Sequence, residues 1–183
     1  MAELLFLDIK DDKKCKKEVK KLYNVAFPRN EKFPFFALNF LSRNDKAKFY
    51  GIYDKDKFIG LLYSIYYKDI VYVFYFAISE GLRGKRYGSK VLESIKEKYS
   101  KYRIILMIEE IDENSNNYNE RLKRKKFYLN NGFKDLNYKV KEAGVIYEML
   151  GYNNEVTHEE YKDLMKYYFG ETLYNYVYKK ISK

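Results

Sequence analysis

The segment Arg83-Gly84-Lys85-Arg86-Tyr87-Gly88 joins a nearly unbroken apolar run, Ile70–Ile78, to an amphipathic pattern through Tyr87, Val91, Leu92, Ile95 and Tyr99. A turn between a strand and a helix aims successive backbone N–H groups into one concavity, and the helix start adds roughly +0.5 of a charge. That arrangement binds phosphate groups. Glycine at 84 and 88 removes side chains that would block close approach, and Lys85 and Arg86 can add charge-assisted contacts. The same two glycines could instead do no more than shape a tight turn. A P-loop is excluded, because no glycine-lysine-serine or glycine-lysine-threonine ending is present. A Rossmann turn is disfavoured, since a meander of strands precedes the segment rather than βαβ units.

The elements that must hold this turn can be read from periodicity. Leu4–Ile9 suits a first strand, and Lys13–Ala26 carries Val19, Leu22, Tyr23 and Ala26 at helical spacing. Pro28 and Pro34 bracket a loop before a short helix over Phe35–Leu41. Lys48–Tyr53 and Lys57–Tyr67 are rich in β-branched and aromatic residues, with a hairpin turn at Asp54-Lys55-Asp56. Ile70–Ile78 is polar on neither face, which places it centrally in its sheet.

Beyond the turn, a helix ending near Ser100 leads to a strand over Arg103–Ile108. Asn117 and Glu120 have the spacing of a capping box for a helix that Asn131-Gly132 stops. On that helix Tyr118, Leu122 and Leu129 form an apolar stripe, and Tyr128 shares another face with Arg121 and Lys125. Phe133–Val140 and Val145–Leu150 make a terminal hairpin. Thr157 and Glu160 cap a late helix that Gly170 breaks, and Thr172–Ile181 is ambiguous between helix and strand. The chain reads as one domain over 1–183, with 151–183 as a C-terminal helical extension.

Composition narrows the classes. The 183 residues are 46% apolar, enough for a core and against a wholly disordered chain. A net charge of +10 attracts polyanions such as nucleic acid, anionic lipid or a phosphorylated cofactor. The lysines are spread along the chain, however, and without a clustered basic stripe nucleic-acid binding is disfavoured. One cysteine, Cys15, excludes an internal disulfide framework and fits a reducing, cytoplasmic setting. No signal peptide or membrane-spanning run is evident, and a membrane partner is not expected. Neither Cys nor His clusters suggest a metal; His158 is the sole histidine and reads as solvated.

Two motifs together carry a resemblance. Arg83–Gly88 resembles the acyl-CoA signature of the GNAT superfamily, departing from it where Arg86 stands in place of the usual glycine. Phe127-Tyr128-Leu129-Asn130-Asn131-Gly132-Phe133 resembles the same family's later motif, an aromatic-tyrosine pair followed by glycine-phenylalanine. Their order and the elements between Lys48 and Leu150 agree with it. The resemblance implies an α+β, three-layer fold: a mixed, mainly antiparallel sheet of about seven strands with helices on both faces. It implies an N-acetyltransferase moving the acetyl group of acetyl-CoA to a primary amine by direct attack. A CoA-binding sensor without turnover is the alternative.

The resemblance also implies residue roles. The backbone of Ala77 and Ile78 would hold the pantetheine arm, and Arg83, Gly84, Lys85, Arg86, Tyr87, Gly88 and Ser89 the pyrophosphate. Tyr128 would protonate the leaving thiolate, a reasonable transfer from a phenol of pKa ~10 to a thiol of ~8.5. Arg121, where many relatives carry asparagine, would face the cofactor. Glu109 is favoured over Glu110 as general base, with ordered water as the alternative. The acceptor is a small-molecule or peptide amine, chosen by Lys13–Leu41 and by the chain's end; a homodimer stays open.

Overall fold

The computed structural model describes residues 4–28, 32–142 and 144–175. Seven strands form one sheet in the order β1-β2-β3-β4-β5-β7-β6. They are β1 (Leu5–Asp8), β2 (Ala47–Asp54), β3 (Lys57–Tyr67), β4 (Ile70–Ile78), β5 (Arg103–Glu109), β6 (Lys134–Glu142) and β7 (Val145–Tyr152). The helices are α1 (Lys13–Ala26), α2 (Phe35–Leu41), α3 (Tyr87–Lys98), α4 (Tyr118–Asn130) and α5 (His158–Phe169). The chain divides into two compact units, one holding the residues up to Tyr66 with Val73–Tyr99, the other Tyr67–Tyr72 with the residues from Ser100. The mixed, mainly antiparallel sheet agrees with expectation, and the apolar run Ile70–Ile78 is its central strand.

In the first unit, β2 pairs antiparallel with β1 and β3. The β2–β3 turn places Lys55 in the left-handed region at φ 56°. Asp12 caps α1 by accepting from the Cys15 N–H, and Cys15, Val19, Leu22 and Tyr23 form its buried stripe. That stripe packs tightly enough to require glycine on β2: a Cβ at Gly51 would lie 2.5 Å from Cys15 Sγ. Tyr23 sits among Phe35, Phe49 and Tyr75, and its hydroxyl donates to the Phe33 carbonyl at 2.8 Å. The Tyr75 hydroxyl accepts from the Phe33 N–H at 3.1 Å, so phenols satisfy the backbone before α2.

In the second unit, β4 and β5 pair in parallel over three positions, Ile70↔Arg103 to Tyr72↔Ile105. β7 pairs antiparallel with both β5 and β6. The capping box at Thr157 and Glu160 is present, and Gly170 ends α5 at φ 78°. Arg103 forks onto Asp69 and Glu160, tying the start of α5 to β5. Tyr161 is fully buried against Tyr72, and its hydroxyl is bonded to the Glu142 carboxylate.

Three expectations need correction. Asn117 does not cap α4 with its side chain; the amide is drawn to Glu109 and Arg121 instead. The faces of α4 are exchanged: Leu122 and Leu129 are exposed, and Tyr128 is the buried residue of the helix. Arg121 and Lys125 share that inner face because carboxylates on β5, β6 and β7 receive them. The hairpin strand expected to stop at Leu150 runs on through Tyr152. Residues 171–175 are helical, and the remainder of the ambiguous segment to Ile181 lies outside the described residues.

Candidate active site

The turn Arg83–Gly88 grows out of β4. The parallel ladder to β5 pairs Ile70, Val71 and Tyr72, the first three residues of this nine-residue strand. On the other side β4 is pressed against β3: the Ser79 N–H donates to the Ile59 carbonyl, and Gly60 lies so close that a Cβ there would meet the Ala77 carbonyl at 2.5 Å. Ala77 and Ile78 are thus held firmly against β3. Arg83 Nε donates to the Ile78 carbonyl at 3.4 Å, folding the turn back on the strand end.

A short 3-10 turn, Glu80–Leu82, then leads to the start of α3. Its Leu82 is the buried anchor, and Arg83 to Arg86 are exposed. Gly84 has φ 75°, a conformation that costs an L side chain about 1–2 kcal/mol. Space is not the reason for glycine there, since a Cβ would meet nothing within 4 Å. Arg86 is the N-cap of α3 and also left-handed, at φ 61° and ψ 4°. The position where the family uses glycine is therefore one whose backbone favours glycine, and the chain holds arginine there in the same conformation.

No side chain caps α3. Among the described residues, none accepts a hydrogen bond from the backbone N–H of Gly84, Arg86, Tyr87, Gly88 or Ser89. Those donors converge with the positive end of the helix dipole. Lys85 and Arg86 are exposed beside them, and Lys57 lies over the Tyr87 ring at 5.7 Å. These groups fit a phosphorylated ligand by chemistry and by lack of obstruction.

The second group of residues is on α4 and β5. Tyr128 is 9% exposed, its ring against Phe127 and Phe133 at 5.1 and 5.7 Å. Burial pushes the phenol up to about 12, an effect that the Arg124 guanidinium offsets in part.

Glu109 is buried and has both carboxylate oxygens engaged. Arg121 Nη2 lies 3.0 Å from Oε1, Arg124 Nη1 lies 2.7 Å from Oε2, and the Asn117 amide donates to Oε1 at 3.3 Å. Arg121 is further tied to Asn117 Oδ1 and to the Glu110 carbonyl. Glu110 itself pairs with Lys139. Sequence reasoning singled out Glu109, Arg121 and Tyr128 but missed Arg124 and Asn117. The i, i+4 spacing of Arg124 and Tyr128 was the available signal.

The acetyltransferase (GNAT) domain family matches residues 45–135, close to half of the chain and including both motifs. The chain belongs to the GNAT superfamily. It is an acyltransferase of that family, and its sheet has the GNAT order of elements. A GNAT-family protein from Bacteroides thetaiotaomicron superposes with a TM-score of 0.74 at 22% identity, over 93% of this chain and 98% of its own. An aminoglycoside 6'-N-acetyltransferase solved with coenzyme A gives 0.63 at 12%, over 81% and 95%. A spermidine N-acetyltransferase mutant from Vibrio cholerae gives 0.60 at 13%, over 83% and 94%. At these identities the likeness is one of fold. No curated protein sequence matches this GNAT chain significantly.

No helix among the described residues is long and apolar enough to cross a membrane. Nor do any three His, Cys, Asp or Glu side chains among them gather as a metal site.

Proposed function

We propose that this GNAT protein transfers the acetyl group of acetyl-CoA to a primary amine by direct attack within a ternary complex. The observation that carries this reading is the open start of α3: a helix N-terminus with no side-chain cap, left-handed at Arg86. The backbone N–H groups of Gly84 and Arg86 to Ser89 bind the pyrophosphate, with Arg83, Lys85 and Arg86 adding charge. The backbone groups of Ala77 and Ile78, at the end of β4, hold the pantetheine arm as a strand edge holds an added strand.

Amine attack on the thioester forms the C–N bond and expels the thiolate. Tyr128 supplies the proton: its O–H bond breaks as the S–H bond forms. Burial keeps the phenol protonated throughout the neutral range but makes it a weaker acid, so the transfer requires stabilisation of the phenolate it leaves. The proton of the acceptor ammonium leaves to water, since both oxygens of Glu109 are occupied by guanidinium groups. The acceptor is a small-molecule or peptide amine, as the aminoglycoside and spermidine acceptors of the two distant neighbours illustrate.

Titration calorimetry with acetyl-CoA tests the donor, and absence of binding at millimolar ligand would overturn it. Thiol release with a panel of amines tests the transfer. Tyr128→Phe should lower kcat about a hundredfold while leaving acetyl-CoA affinity intact. The burial of Tyr128 favours one second reading, CoA binding without turnover. Its signature is normal affinity with no thiol release from any amine and no effect of Tyr128→Phe.

A further inference from the structure

Arg124 and Tyr128 are one helical turn apart on α4, and helical side chains lean toward the N-terminus, so the Tyr128 ring lies over the turn that carries Arg124. An arginine at such a site would ordinarily extend into solvent. Here Glu109, itself buried, fixes Arg124 Nη1 at 2.7 Å. Arg121 takes the other oxygen of the same carboxylate at 3.0 Å. Two guanidiniums therefore share one carboxylate, and the trio keeps one positive charge uncompensated.

The other charged group on the inner face of α4 carries no surplus positive charge. Lys125 is paired with Glu148 of β7 and Asp135 of β6. The Arg124 guanidinium, one turn away on the same helix, lowers the Tyr128 phenol against the upward push of burial. We propose that Arg124, locked in place by Glu109, is a positioning residue that stabilises the negative charge left on Tyr128 once its proton has passed to the leaving thiolate. Glu109 then serves the reaction through Arg124 instead of by taking a proton from the acceptor. This inference rests on the reading of Tyr128 as proton donor.

A fluorinated tyrosine at position 128, whose ring substituents bring its titration into an accessible range, allows the test by 19F NMR. Arg124→Gln should raise the midpoint of that residue by roughly half a pH unit to one unit, at the lower end because Arg124 is partly exposed to screening solvent. Arg124→Lys should restore most of the shift. In the unfluorinated protein Arg124→Gln should lower kcat about threefold with acetyl-CoA affinity unchanged. An unmoved midpoint in Arg124→Gln, with Tyr128→Phe still inactive, overturns the inference and leaves the donor reading standing. A shifted midpoint with Tyr128→Phe fully active overturns the donor reading and removes the catalytic role of Arg124 with it.

Discussion

The ammonium of Lys125 lies 2.6 Å from the carboxylate of Glu148, and it reaches Asp135 at 3.0 Å on the same side of α4. Glu148 is only 8% exposed, so its charge depends on that partner. Removing one member of a buried pair costs about 3–5 kcal/mol, because the other is stranded. Lys125→Met should destabilise the protein by about 3 kcal/mol in chemical denaturation. The double change Lys125→Met with Glu148→Met should recover most of the loss. A single variant as stable as the parent would contradict this account of how α4 is fastened.

Gly60 and Ala77 test the close approach of β3 to the end of β4. A Cβ at 60 meets a backbone carbonyl, which cannot rotate away as a side chain can. Gly60→Ala should cost about 1–3 kcal/mol and weaken acetyl-CoA binding, because the strand end bearing Ala77 must shift. Unchanged calorimetric affinity would separate this contact from the binding site.

The left-handed residues of the turn predict opposite signs. Gly84→Ala should destabilise by about 1 kcal/mol despite open space around it, purely from φ 75°. Arg86→Gly should stabilise by a similar ~1 kcal/mol, since glycine adopts φ 61° freely. The same variant loses a cation from the proposed phosphate site, so acetyl-CoA should bind several-fold more weakly at low salt, with the difference shrinking as salt is added. Thermal melts and calorimetry at two ionic strengths check both halves.

Acid should loosen α5. The Arg103 guanidinium holds the carboxyls of Asp69 and Glu160 below their ordinary range, and the Thr157 backbone helps at Glu160. Folded values below unfolded ones mean that the unfolded chain binds more protons as pH falls through about 4, so stability drops there. Arg103→Ala should cost about 2 kcal/mol at neutral pH, the scale of charge-assisted hydrogen bonds. Its deficit should narrow below pH ~4, where the parent loses the same contacts. Parallel stability curves down to pH 2 would refute the assignment.

What could be read from the sequence was local or compositional. Ile70–Ile78 announced a central strand because a strand polar on neither face has nowhere else to go. Thr157 and Glu160 satisfy each other across three residues, so their capping box needed no tertiary knowledge. Asn117 and Glu120 have the same spacing, but Glu109 competes for the Asn117 amide from a strand. The faces of α4 were misread for a related reason. Counting apolar positions points to Leu122 and Leu129, whereas the inner face is set by carboxylates at 109, 135 and 148, separated in sequence and brought under the helix by the sheet. The left-handed backbone of Arg86 left no trace in residue type; only the family pattern hinted at it.

That arginine also has a consequence for descent. Glycine and arginine codons can differ by one base, as GGA differs from AGA, so a lineage can pass between the two residues at position 86 in a single mutation. The backbone at Arg86 already has the left-handed conformation that glycine adopts freely, so the step asks for no new turn geometry. It exchanges chain flexibility for a fixed positive charge at the mouth of α3. Position 86 is thus a place where inheritance can add or remove one charge at the start of a helix, and can undo the change just as easily.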